Sequence, residues 1–121
     1  MTVLDASAVL AWLQGEVGAE VVEPLLDDAV MSAANWSEVL QKAWQHGRDA
    51  DRVGVLLHAM GVSVEPVVEE DARTAARLWS EAAHLSLADG LCLVLAQRLG
   101  GQAVTAERSW VAVAPETLVI R

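Results

Sequence analysis

Residues 1–8 read Met-Thr-Val-Leu-Asp-Ala-Ser-Ala, a short β-prone run that meets an acid and then passes into small, helix-compatible residues. In open parallel sheets the useful crevice lies outside the carboxyl ends of the strands. A strand that starts almost at Met1 and ends at Asp5 delivers one carboxylate to that edge. Ser7 is then placed to cap the helix that follows. The remainder of the chain can be read for what else it brings to the same spot.

At 121 residues the chain has room for one domain with a proper core and no comfortable second one, so residues 1–121 are expected to form a single domain. Hydrophobic residues make up 54%, with five Trp and neither Phe nor Tyr, which calls for a mainly aliphatic core. No apolar run approaches the roughly eighteen residues of a membrane span; residues 91–96 stop at Gln97. The N-terminus lacks the basic region and apolar run of a signal peptide. The single cysteine, Cys92, has no intrachain partner and suits a reducing cytoplasm. The net charge of −9 excludes a protein that holds a polyanion by long-range attraction. Discounting four carboxylates at a cation site would still leave the chain acidic, so any nucleic-acid binding must be local, metal-assisted or weak.

Strand and helix patterns then alternate. A first helix over residues 8–13 stops near Gly15. Val21, Val22, Leu25 and Leu26 repeat at helical spacing and predict a helix over residues 19–27. A second strand is expected at residues 29–32. Asn35-Trp36-Ser37-Glu38 opens an amphipathic helix with Trp36, Val39, Leu40, Ala43 and Trp44 on one stripe, closed by His46-Gly47. This reading puts Glu38 in the first turn, back toward the sheet edge. A helix over residues 50–60, a strand over 62–68 and a helix over 69–83 follow. Asp89 stands in the first turn of a helix that is apolar nearly all round and ends at Gly100-Gly101, where an acid is favoured by free amides and the helix dipole. Strands are expected at residues 103–105 and 117–120. Alternation of this kind predicts an α/β fold in three α/β/α layers, with a parallel sheet of four or five strands.

Four acids share one topological place: Asp5 after the first strand, Glu38 after the second, Asp89 at the start of the buried helix and Glu107 after the fourth strand. Two carboxylates about 4 Å apart repel by about 4 kcal/mol at an effective dielectric near 20, a penalty that divalent cations remove. Oxygen-only donors suit Mg²⁺ or Mn²⁺ rather than Zn²⁺. Such ions activate water and stabilise charge in phosphodiester hydrolysis.

The set of Val-Leu-Asp-Ala-Ser-Ala (3–8), Ser-Glu-Val-Leu (37–40), Ser-Leu-Ala-Asp-Gly-Leu-Cys-Leu (86–93) and Val-Thr-Ala-Glu-Arg-Ser-Trp (104–110) resembles, in order and spacing, the PIN domain, most of all the compact VapC-type toxins. The resemblance spans essentially the whole chain. It implies a Mg²⁺- or Mn²⁺-dependent endoribonuclease, dimeric, acting on RNA and inhibited by a cognate antitoxin whose tail enters the acidic groove. Asp5, Glu38 and Asp89 match the family's metal-binding acids, Thr105 its strand-end hydroxyl, and Glu107 stands where the fourth acid is usually Asp. The chain also has Ala88-Asp89-Gly90 where the family commonly has Gly-Asp followed by Arg.

Each residue alone has a plainer role. Asp5 could merely end a strand, Glu38 and Asp89 could be ordinary helix-start acids, and Glu107 a solvated loop residue. Ser7 and Thr105 read as caps or hydrogen-bond supports for the acids rather than nucleophiles, since no His lies at a telling spacing. Arg108 is the cation expected to touch phosphate, with Lys42 and Arg98 behind it. Trp12, Trp36, Trp44 and Trp79 read as core or dimer interface, and Trp110 as structural. The rival to a nuclease is a catalytically weak or inactive module whose acidic groove holds a basic protein partner. A phosphoaspartate phosphatase would want a second Asp at position 7, where Ser7 stands.

Overall fold

In the computed structural model, which describes Met1–Arg121, strand β1 (Thr2–Leu4) lies at the centre of a five-stranded, all-parallel sheet. The other strands are β2 (Val30–Ser32), β3 (Ser63–Glu65), β4 (Gln102–Thr105) and β5 (Leu118–Val119). Their order is β3-β2-β1-β4-β5. The helices are α1 (Ala6–Gln14), α2 (Ala19–Val22), α3 (Ala33–Gln45), α4 (Ala50–Ala59), α5 (Glu69–Glu81) and α6 (Leu87–Leu99). The chain winds from β1 to β2 and β3 in one direction, and the later strands lie on the other side. The order therefore reverses between β1 and β4, which is where open α/β sheets form their crevice.

The period of two along each strand makes the three layers. Val3, Val30 and Ala103 pack with Cys92, Leu95 and Trp110 on one face, while Leu4, Met31 and Val104 pack with Val9, Val39 and Leu57 on the other. All three central strands are thus buried on both faces, as parallel strands must be when helices cover them. Full burial of side chains such as Leu57 and Val39 contributes about 1.5–3 kcal/mol each. Helix α6 is the most enclosed, with every residue of its 91–96 run buried. It ends at Gly100, whose φ of 66° turns the chain so that its N–H reaches Ala96 O, a geometry glycine adopts without steric cost.

Local chemistry moves several boundaries from their expected places. The helix expected over 19–27 is α2 followed by a 3₁₀ turn, Glu23–Leu25, because Pro24 has no N–H for an i→i−4 bond. The strand expected over 62–68 is cut to Ser63–Glu65 ahead of Pro66, which cannot donate to a ladder. Helix α3 starts at Ala33, capped by Ser32 Oγ, which accepts from Ala34 N at 3.2 Å. Glu38 consequently sits in its second turn rather than its first. A 3₁₀ helix, Arg108–Ala112, carries buried Trp110 and was not foreshadowed by the apolar spacing. Between α4 and β3, Gly61 (φ 105°) passes so close to residue 27 that an added Cβ would lie 2.8 Å from Asp27 Cα.

Candidate functional site

Beyond the carboxyl ends of β1 and β4 lies an open hollow of about 260 Å³, lined by Asp5, Ser7, Glu38, Lys42, His84, Asp89, Glu107, Ser109 and Trp110 among others. Asp5 forms its floor and is 3% exposed. Its backbone N–H continues the sheet to Val104 O at 2.9 Å, and its carbonyl receives the amides of Ala8 and Val9 at the start of α1. The strand-to-helix junction therefore fixes the direction of its side chain.

That carboxylate is held from three sides. Ser7 Oγ donates to Asp5 Oδ2 at 2.6 Å, Thr105 Oγ1 donates to the same oxygen at 2.9 Å, and Asn35 Nδ2 reaches Oδ1 at 3.4 Å. The two hydroxyls are fixed in turn, because Ala106 N–H donates to Ser7 Oγ (2.9 Å) and Glu107 N–H to Thr105 Oγ1 (3.1 Å). Each hydroxyl has one hydrogen, spent on Asp5, so their 3.1 Å approach to one another follows from sharing an acceptor. Ser7 is therefore not the cap of α1: Asp5 occupies that position, with no side-chain cap bond, and the Ser7 hydroxyl is turned into the site instead.

Burial dominates the electrostatics. It pushes the Asp5 carboxyl up from 3.8 to about 6, against the hydrogen bonds from Ser7 and Thr105 that favour the charged form, with Asp89 and Glu38 adding to the rise. Glu38 is half-buried, and its pKa too is raised by burial and by Asp89, opposed by the Asn35 amide and the Lys42 charge. Asp5 thus feels both Glu38 and Asp89, and Glu38 feels Asp89. Glu107 is exposed on the rim and raises neither.

The donor set is all oxygen, which fits a hard cation in kind. In arrangement, no three acidic, His or Cys side chains converge as a group that could hold an ion. Two causes are visible. Asp5 is turned onto Ser7, Thr105 and Asn35, and Asp89 is drawn into the cap of its own helix, where Oδ2 accepts from Ser86 N at 3.0 Å and its N–H donates to Ser86 Oγ at 3.1 Å.

The cations fall otherwise than the sequence suggested. Arg108 turns from the hollow, its Nε donating to Arg121 O at 3.0 Å. Arg98 is committed to Asp71 through two bonds, Nε to Oδ1 at 2.9 Å and Nη2 to Oδ2 at 3.1 Å. Lys42, one helical turn after Glu38, lines the hollow, as does His84. His58 pairs with Val62 O and packs on Trp36 with ring centroids 4.7 Å apart. Trp110 is 1% exposed and structural, as expected. Of the four other Trp, Trp44 and Trp79 are exposed rather than core.

Sequence reasoning missed Asn35. Fully buried, its Nδ2 reaches Asp5 Oδ1, Glu38 Oε1 (3.2 Å) and Ala88 O (3.2 Å). The available signal was its spacing: Asn35 and Glu38 stand three apart, hence on one helix face, though Asn35 served only to mark a helix start.

The sequence model of the PIN domain matches residues 2–115. The chain belongs to the PIN domain family. No curated protein matches it significantly, but solved structures do. A protein of a toxin–antitoxin complex from Klebsiella pneumoniae superposes with TM-score 0.84 at 19% identity, covering 100% of this chain and 98% of the other. VapC20 of Mycobacterium tuberculosis, a sarcin-ricin loop cleaving toxin, gives 0.71 at 16% identity with 100% of both chains covered. A chain of VapBC-1 from nontypeable Haemophilus influenzae gives 0.68 at 16% identity, covering 98% and 95%. At these identities the likeness establishes the fold, and this PIN domain shares it in full. No helix is long and apolar enough to cross a membrane.

Proposed function

We propose that this PIN domain is the endoribonuclease toxin of a toxin–antitoxin pair, hydrolysing RNA phosphodiester bonds with Mg²⁺ or Mn²⁺. One observation carries the reading: Asp5, Glu38 and Asp89, from three distant segments, line one hollow at the point where the strand order reverses. Burying Asp5 among other acids carries a cost that a bound cation would offset. Membership of the PIN family supports the chemistry, and the similar folds in a Klebsiella toxin–antitoxin complex and in a loop-cleaving Mycobacterium toxin support the biological setting.

Asp5, Glu38 and Asp89 would hold the metal, with Glu107 reaching it from the rim. When bound, the ion supplies an activated water and charge stabilisation at phosphorus. Ser7 and Thr105 keep Asp5 Oδ2 in place, and Lys42 and His84 face the substrate phosphates in a chain whose overall charge repels them. Hydrolysis of this kind leaves a 5′-phosphate and a 3′-hydroxyl. A cognate antitoxin would enter the acidic groove, and a homodimer would cover exposed apolar side chains such as Trp79 and Leu87. Purified protein incubated with end-labelled RNA tests the chemistry: cleavage stops in EDTA, returns with Mn²⁺ and is absent in Asp5→Asn. Cleavage indifferent to chelator refutes it.

A second reading, a PIN-like module that binds a basic partner without catalysis, is favoured by the lack of a preassembled group of three ligands. Growth arrest separates the two. Asp5→Asn relieves it if hydrolysis is the function, and arrests like the parent if binding is.

A further inference from the structure

We propose that Asn35 is a positioning residue that sets Asp5, Glu38 and the first turn of α6 for a divalent cation, an inference that rests on reading the acidic hollow as a cation site. Asn35 is 0% exposed. Its Nδ2 faces three acceptors at once, Asp5 Oδ1 at 3.4 Å, Glu38 Oε1 at 3.2 Å and Ala88 O at 3.2 Å, although an amide nitrogen carries only two hydrogens. The opposite end, Oδ1, is buried with no partner. Turning the amide over would aim its oxygen at two carboxylates and a carbonyl, so the orientation is dictated by the acceptors. An Asn kept only to satisfy a core would match donors and acceptors at both ends. Here the donor end is oversubscribed and the acceptor end is empty, which marks a residue retained for its N–H groups.

Those groups touch three of the four acid-bearing segments. The Glu38 carboxylate has no other hydrogen-bond partner, and Ala88 immediately precedes Asp89. A lysine or arginine at this place would also draw the carboxylates together, but its charge would compete with the metal. A neutral amide orders them and leaves their remaining lone pairs free. The hydrogen bonds that orient metal ligands are worth roughly 10–100-fold in metal affinity in other proteins.

Mn²⁺ titrated into the EDTA-stripped full chain, with free Mn²⁺ followed by electron paramagnetic resonance, tests this without reference to turnover. Folded Asn35→Leu, which fills the space without donors, and Asn35→Ser, which changes volume less drastically, are expected to bind Mn²⁺ at least about tenfold more weakly than the parent. Val22→Ala, a truncation at a fully buried position of α2, controls for general loosening of the fold and is expected to bind as the parent does. Affinity within twofold of the parent in the Asn35 variants, or an equal loss in Val22→Ala, overturns the inference. A parent that binds no Mn²⁺ overturns the cation reading of the hollow and this inference together, whereas a binding parent with unaffected Asn35 variants overturns only the latter.

Discussion

Replacing Asp5 by Asn should make the metal-free protein more stable, and the gain should depend on pH in a defined direction. Burial raises the Asp5 carboxyl from 3.8 to about 6. An acid whose folded pKa lies above its unfolded one binds protons more tightly when folded, so its favourable contribution is complete below about pH 4 and is lost as pH rises through 6. At about 1.4 kcal/mol per pH unit, the charged form costs the folded state about 3 kcal/mol at pH 7. Going from pH 7 to 5 returns about 1 kcal/mol of that. Asn cannot ionise. The stability difference between variant and parent is therefore largest at pH 7, up to about 3 kcal/mol less the cost of hydrogen bonds the amide mates poorly, and narrows by about 1 kcal/mol at pH 5. Urea unfolding in EDTA at pH 5, 6 and 7, on both proteins, reads this directly, because subtracting the curves removes what the other sixteen acids and three His contribute in common. Glu38, raised in the same sense, cancels largely in the difference. A gap that stays constant from pH 5 to 7, or widens toward pH 5, refutes the placement of a desolvated carboxylate at this site.

Thr105→Val removes the hydroxyl that donates to Asp5 Oδ2 and accepts from Glu107 N–H; about 1–3 kcal/mol of stability is expected to go with it, read by urea unfolding, together with most RNA cleavage. Lys42→Ala should raise KM for RNA with little change in kcat, and the logarithmic dependence of KM on salt should flatten by about one phosphate contact; an unchanged slope removes Lys42 from the substrate path. Arg98→Met strands the Asp71 carboxylate, whose side chain is 5% exposed, at an expected cost of about 3 kcal/mol. Since this pair lies away from the hollow, cleavage per folded molecule should be unaffected, and adding Asp71→Leu should recover much of the lost stability.

The lesson of the boundaries is local. Ser63–Glu65 and the break after Val22 were readable from Pro66 and Pro24, whose missing N–H groups matter more than the apolar spacing around them. The misplaced start of α3 was readable from Ser32, a capping residue directly before two alanines. Nothing in the sequence signalled that Arg108 would turn to the C-terminal carbonyl, or that Ser7 would prefer the Asp5 carboxylate to a helix end. Arg108 finds its partner 13 positions away, and the Ser7 hydroxyl, though it bonds an acid only two positions back, is held there by the amide of Ala106, 99 positions on; short-range pattern holds no record of such partners.

By itself the sequence determined the class of fold and the address of the acids. Alternating strand and helix periods admit few arrangements other than a covered parallel sheet, and in such a sheet a residue just past a strand's end has one edge available to it. Only the tertiary structure decided how those acids are held: that Asp5 rests on two hydroxyls and an amide, that Asp89 is folded into its own cap, that Glu107 stays on the rim and that Asn35 joins three segments. Side-chain direction at this strand end is set by Ser7 nearby and by donors from β4 and α3 arriving from far along the chain, and those distant donors come within reach only once β1 has its neighbours on both sides.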